Sequence, residues 1–88
     1  MVPNATLQPD DNGTSWRLSV TAADRSGLLY SLSQVFAQHH VRLKMAKVMT
    51  LGDRVEDIFI LEGDELGNPR IQLQFERSVL ARLDDTSP

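Results

Sequence analysis

The segment at residues 16–36, WRLSVTAADRSGLLYSLSQVF, changes its hydrophobic period from that of a strand to that of a helix. Apolar and polar residues first alternate, which is typical of a half-buried strand over residues 15–22. The alternating apolar residues are Trp16, Leu18, Val20 and Ala22. After a polar break, apolar residues recur three and four positions apart as far as about His39, which is typical of one helix face. These residues are Leu28, Leu29, Leu32, Val35 and Phe36.

Downstream, residues 41–51 have a strand pattern whose alternation slips. The apolar residues stand first at odd and then at even positions: Val41 and Leu43, then Ala46 and Val48. A change of parity within one strand predicts a β-bulge near residues 44–46. Gly52 and Asp53 then predict a two-residue hairpin loop, followed by a second apolar strand at residues 54–62.

Both ends of the chain add one further element. Asn68 and Pro69 are a typical N-cap and first residue of a helix. Its apolar stripe is Ile71, Phe75, Val79, Leu80 and Leu83. At the other end, residues 4–8 lie between two prolines, which favours an edge strand, and Asn12 with Gly13 predicts a turn into the strand that follows.

The order of elements predicts an α+β fold of the ferredoxin-like type, an antiparallel sheet with two helices on one face. The closing strand of that fold is missing after the second helix. We expect the N-terminal strand to replace it, because a hairpin partner of the next strand occupies the same edge. The predicted organisation is an edge strand and turn at residues 1–14, the main domain at 15–83 and a polar tail at 84–88.

Composition and motifs exclude several classes of function. Nine Lys and Arg residues against twelve Asp and Glu give a net charge of −3, whereas nucleic acids and anionic membranes require a basic excess. The absence of cysteine excludes disulfides and thiolate metal sites, and there is no signal peptide pattern or membrane-spanning apolar run. His39 and His40 diverge on a helix and lack a carboxylate four residues away. The sequence therefore predicts no metal, no cofactor and no catalytic residue.

The sharpest candidate site is the run at residues 24–29, where the strand pattern gives way to the helix pattern. A helix N-terminus offers free N–H groups to a carboxylate, Gly27 permits close approach, and Asp24 can pair with an ammonium group. These are the requirements of an α-amino acid. The alternative is an ordinary helix entry, with Asp24 or Ser26 as the N-cap.

Asp57 is a second candidate, because it stands in a strand otherwise rich in apolar residues. The hairpin loop places Val48 opposite Asp57. If the carboxylate shares the apolar face, it needs a partner such as Lys47, Arg54 or a ligand. The alternative is that local twist turns Asp57 to solvent. Lys47 and Asp57 are therefore candidates for effector binding or for an interface.

The run Asp24-Arg25-Ser26-Gly27-Leu28-Leu29 resembles the D-R-P-G-L-L motif of ACT domains, with serine in place of proline. A closer resemblance covers residues 41–59, VRLKMAKVMTLGDRVEDIF, which are similar to the last ACT domain of bacterial PII uridylyltransferases. The resemblance implies that those six residues bind an effector. It also implies a cytoplasmic enzyme that modifies the PII protein, has its catalytic sites elsewhere and senses glutamine through these domains.

Two functions remain open after this comparison. The first is a regulatory domain that binds an amino acid, with glutamine as the expected effector and a second ACT copy or a homodimer as the expected partner. The second is a ligand-free dimerisation or docking module. An apolar row that the helices would leave uncovered favours the second: Met45, Met49, Leu51, Ile58 and Ile60. Under either function, PII is contacted only through the parent enzyme.

Overall fold

The computed structural model describes residues 2–11 and 13–84. Within that part, the elements are β1 (Asn4–Pro9), β2 (Trp16–Ala23), α1 (Leu28–Gln38), β3 (Arg42–Lys47), β4 (Thr50–Leu51), β5 (Arg54–Glu62) and α2 (Pro69–Leu83), with a 3₁₀ turn at Asp64–Gly67. None of these helices has the length and apolar character needed to cross a membrane. Asn12 of the predicted turn and residues 85–88 of the predicted tail lie outside the described residues.

The strands form one antiparallel sheet in the order β1-β2-β5-β3, and β4 also pairs with β5. β1 runs beside β2 in the register Asn4↔Thr21 to Pro9↔Trp16, so it occupies the position of the missing closing strand. The predicted ferredoxin-like α+β architecture is therefore confirmed.

The core lies between the helices and one face of the sheet. β2 and β5 alternate as predicted, and α1 and α2 each contribute one apolar stripe to the same cluster. Phe36 of α1 joins the layers, because its ring contacts Phe59 edge-on at 5.6 Å and stacks on Phe75 at 5.9 Å between centroids. The other sheet face, here called the uncovered face, carries Arg17, Ser19 and Thr21 of β2 and the even-numbered residues of β5.

The entry to α1 differs from the prediction. Its N-cap is Gly27, with φ of 81° and no side-chain cap, rather than Asp24 or Ser26. The left-handed conformation favours glycine, and it aims the Gly27 carbonyl at the N–H of Ser31, 2.9 Å away. Leu29 was expected on the buried face and is 49% exposed, because adjacent helical residues lie about 100° apart.

Two further local predictions are confirmed, whereas the strand predicted over residues 41–51 is divided into β3 and β4. The Asn68 side chain accepts from Arg70 N and Ile71 N at the start of α2. The β3–β5 register shifts between Leu43 and Met45, as a bulge requires, and pairs Ala46 with Phe59.

The two edges of the sheet are unlike. At β1, the backbone N–H of Leu7 donates to the Glu76 carboxylate of α2 at 2.9 Å. At β3, every residue is exposed, and no described strand pairs with its outer side. The β3 edge is therefore the accessible one.

Candidate functional site

A cleft of about 210 Å³ lies between the β2–α1 loop and the β4–β5 hairpin. The loop contributes one wall and the hairpin the other. The lining residues are Asp24, Arg25, Gly27, Leu28, Leu29, Tyr30, Val48, Thr50, Val55 and Asp57. The cleft lies beside the end of β3, where Val48 follows the strand and is 51% exposed.

Two hydrogen bonds hold the β2–α1 loop against neighbouring elements. The N–H of Asp24 donates to the Asp53 carbonyl of the hairpin loop at 2.9 Å, which ties the two walls together. The Arg25 guanidinium donates to the Arg82 carbonyl near the end of α2 at 2.6 Å. Arg25 thus lines the cleft, but its guanidinium group binds the C-terminal end of α2, where a cation is favourable.

The N-terminus of α1 faces this cleft with free donors. The N–H of Leu28 is bonded to Arg25 O at 3.4 Å, and that of Ser31 to Gly27 O. No acceptor is found among the described residues for the N–H groups of Leu29 and Tyr30. These two groups, at the positive end of the helix dipole, can bind a carboxylate.

Asp57 stands on the opposite wall and is buried, with 2% of its surface exposed. Its Oδ1 accepts from the N–H of Met49 at 3.1 Å, while Glu56 N donates to Met49 O at 2.8 Å. The side chain thus takes the place of one ladder bond where β3 and β4 are interrupted. The alternative that Asp57 turns to solvent is wrong, and its partner is neither Lys47 nor Arg54.

The ionised form of the Asp57 carboxyl group is disfavoured. Burial raises the pKa of Asp57, the Met49 hydrogen bond partly lowers it, and the nearby negative charge of Asp24 raises it again. A buried carboxyl group whose ionisation is disfavoured by a neighbouring negative charge favours binding of a cation beside it. An ammonium group placed between them would relieve the repulsion.

Most of the predicted site residues meet in the cleft, and two do not. Ser26 is exposed and outside its lining. Lys47 pairs with Ile58 on the uncovered face, away from the cleft. The sequence analysis missed Tyr30, Val48, Thr50 and Val55 as lining residues. The hairpin register, which pairs Thr50 with Val55, was the signal that could have found the last two.

The arrangement suits the binding of a small polar ligand. It combines donors for an anion, acids for a cation and apolar contacts from Leu29 and Val48. His39 lies elsewhere, against Ser78 and the Phe75 ring. In the described part of the chain, no group of three or more His, Asp or Glu residues is placed to hold a metal.

Comparison with known proteins gives one consistent result. The chain is 58% identical over all 88 residues to the bifunctional uridylyltransferase/uridylyl-removing enzyme of Bordetella pertussis, of which it covers 10%. It is 46% identical over 80 residues, 91% of the chain, to the enzyme of the same name from Burkholderia vietnamiensis, of which it covers 9%. It is 43% identical over 83 residues, 93% of the chain, to the enzyme of the same name from Cupriavidus pinatubonensis, of which it covers 10%. No family model matches, and no solved structure matches.

The chain therefore spans about a tenth of the length of the curated relatives it matches. The resemblance to bacterial uridylyltransferases, inferred from the residues of the β3–β5 hairpin, is confirmed.

Proposed function

We propose that this chain is an amino-acid-sensing regulatory domain of a PII uridylyltransferase, and that its effector is glutamine. The observation that carries the proposal is the cleft itself, which is lined by the α1 N-terminus with the free N–H groups of Leu29 and Tyr30 and by the carboxyl groups of Asp24 and Asp57. Donors for an anion and acids for a cation within one cleft match the two ends of a zwitterion.

The binding mode follows from the partners each wall offers. The effector carboxylate accepts from the N–H groups of Leu29 and Tyr30. Its ammonium group approaches Asp24, which is exposed, and reduces the repulsion between Asp24 and Asp57. The effector side chain lies toward Val48 and Thr50, at the mouth of the cleft.

The proposed domain regulates chemistry that occurs elsewhere in the enzyme. Effector binding pulls the β2–α1 loop and the hairpin together, and the loop is joined to the end of α2 through Arg25 and Arg82. By this route glutamine would shift the balance between uridylylation and removal of uridylyl groups from PII.

A second copy of the domain is the proposed partner, because the cleft lies beside the end of the accessible β3 edge. A copy placed there would close the mouth of the cleft. The same edge supports the second candidate, a ligand-free pairing or docking module, since Leu43, Val48 and Leu51 are exposed there with no described residue covering them.

Calorimetric titration of the chain with glutamine tests the proposal, with glutamate and alanine as competing ligands. Glutamine should bind, and Asp24→Asn should weaken binding about tenfold because one charge-assisted contact is lost. Asp11→Asn, an equal change of charge on an exposed turn away from the cleft, should leave binding unaltered. Equal weakening by both variants would contradict the site.

A longer uridylyltransferase carrying this domain separates sensing from pairing. In that enzyme, Asp24→Asn should blunt the glutamine response of transfer and removal activity on PII while leaving basal transfer largely intact. Loss of basal transfer as well would favour the pairing module.

A further inference from the structure

The chain's charges are divided unevenly between its two sides. On the uncovered face and its β3 rim, β2, β3 and β5 carry five of the nine Lys and Arg residues and two of the twelve Asp and Glu, Glu56 and Glu62. A third acid, Asp10, adjoins the face beside Arg17. Its five cations are Arg17, Arg42, Lys44, Lys47 and Arg54. The face is therefore positive in a chain whose net charge is −3.

The centre of this face is apolar. Ile58 and Ile60 project from β5, and Met45 stands directly opposite Ile60. Met45 is 58% exposed and Met49 39%. Beside Ile58, a hollow of about 230 Å³ is lined by Met49, by Ser19, Val20 and Thr21, and by the acids Glu56 and Asp57. An apolar centre within a charged rim is typical of a protein-binding surface.

Cations flank the isoleucine pair on both sides. Arg17 of β2 is the neighbour of Ile60 on one side, and Lys47 of β3 is the neighbour of Ile58 on the other. Two strand spacings separate the flanks, which is about 10 Å. Lys47 forms no ion pair with any described residue. Arg17 lies 4.0 Å from the Asp10 carboxylate and donates to Gln8 Oε1 at 3.2 Å.

The other three cations of the face are held in ion pairs and are less available to a partner. Arg42 and Lys44 share the Glu62 carboxylate, and Arg54 pairs with Glu56. The most available charges of the face therefore lie beside its apolar centre. Lys47 is in no ion pair among the described residues, and the ion pair of Arg17 is the longest on the face.

We propose that the uncovered face binds an acidic protein segment, one that places an apolar side chain on Ile58 and Ile60 and carboxylates toward Arg17 and Lys47. Charge complementarity identifies the occupant. A second copy meeting face to face would oppose cations with cations, which disfavours self-pairing. A nucleic acid would need aromatic residues on which to stack its bases, and this face has isoleucine and methionine instead.

The test uses a labelled amphipathic helical peptide whose leucine stripe is flanked by glutamates, and a matched peptide with lysines in place of the glutamates. Fluorescence anisotropy with the chain should show the glutamate peptide binding about tenfold more tightly at low salt, with the difference shrinking at physiological salt. Arg17→Glu with Lys47→Glu should reverse the preference. Arg70→Glu with Arg77→Glu, an identical change in net charge on exposed positions of α2, should not reverse it.

A second measurement keeps the test valid if the charge-reversed variant fails to fold. Amide resonances of the unaltered chain should shift at Ile58 and Ile60 when the glutamate peptide is added, and those of Leu29 and Tyr30 should stay in place. Equal binding of the two peptides, or shifts confined to the α1 cleft, would overturn the proposal. Tighter binding of polyuridine or of phosphatidylserine vesicles than of the glutamate peptide would also overturn the proposal. So would self-association of the chain through Ile58 and Ile60.

Discussion

The β1 edge and the β3 edge belong to the same sheet, but one is packed against a helix and the other is exposed. The β1 edge packs against α2, and the carboxylate of Glu76 occupies the N–H of Leu7. Along the β3 edge every side chain is exposed, a bulge and a break interrupt the ladder, and the cleft lies beside its end. The contrast shows that this small domain concentrates its packing on one side and leaves the other side accessible.

The largest expected effect compares one core residue with one residue of the β3 edge. Phe75 is fully buried beside Phe36, so Phe75→Ala should cost about 3–5 kcal/mol of unfolding free energy, a large fraction of the stability of a domain of this size. Met45→Ala should cost less than about 0.5 kcal/mol, because Met45 is exposed. Urea denaturation measures both. Similar losses would mean that the β3 edge is part of the stabilising core.

The next effect concerns how the β1 edge is closed. Glu76→Ala removes the acceptor of a partly buried backbone N–H and should cost about 1–3 kcal/mol. Glu76→Gln keeps an oxygen at the same position and should cost less. Thermal unfolding of the two variants checks this order. Equal stability of both would show that the Leu7 contact does not hold the edge.

A smaller effect is expected at the entry to the cleft. Gly27 has a φ of 81°, and an added Cβ would meet no atom within 4 Å, so Gly27→Ala should cost about 1–2 kcal/mol from conformation alone. Gly67 is equally open and lacks a positive φ, so Gly67→Ala should not destabilise the chain. Denaturation curves of the pair measure the difference. A neutral Gly27→Ala would contradict the conformational assignment of the loop.

The smallest effect is a dependence of stability on pH. Because the folded-state pKa of Asp57 is raised above 3.8, the folded chain binds this proton more tightly than the unfolded chain does. The contribution of Asp57 is therefore fully present below pH 3.8 and is lost as pH rises through the raised pKa. The difference in unfolding free energy between the unaltered chain and Asp57→Asn should change in that window. A difference that is constant with pH would contradict the raised pKa of the buried Asp57 carboxyl group.

Sequence patterns predicted the fold well because its strands and helices have clear hydrophobic periods. The slip of parity between Leu43 and Ala46 predicted the bulge, and the prolines around residues 4–8 predicted the edge strand. The N-cap of α1 was wrong because side-chain capping and a left-handed glycine are alternative ways to begin a helix, and Asp24-Arg25-Ser26-Gly27 permits both.

The site was predicted less completely, because it is formed where two distant segments meet. The run at residues 24–29 was visible as one motif. The far wall depends on the break in the β3–β4 ladder, where Asp57 replaces a backbone partner of Met49, and a local pattern does not reveal such a substitution. Lys47 was assigned near Asp57 by its position in the sequence, and strand alternation places it on the other face.

Amide resonances recorded during a glutamine titration test the central claim most directly. The spectra are collected at protein concentrations below and above any self-association measured by sedimentation. We expect the N–H resonances of Leu29 and Tyr30 to shift saturably with glutamine, together with that of Met49, while those of Met45 and Ile60 remain in place. The absence of a saturable shift at Leu29 and Tyr30 in both association states would contradict the assignment of this cleft as the effector site.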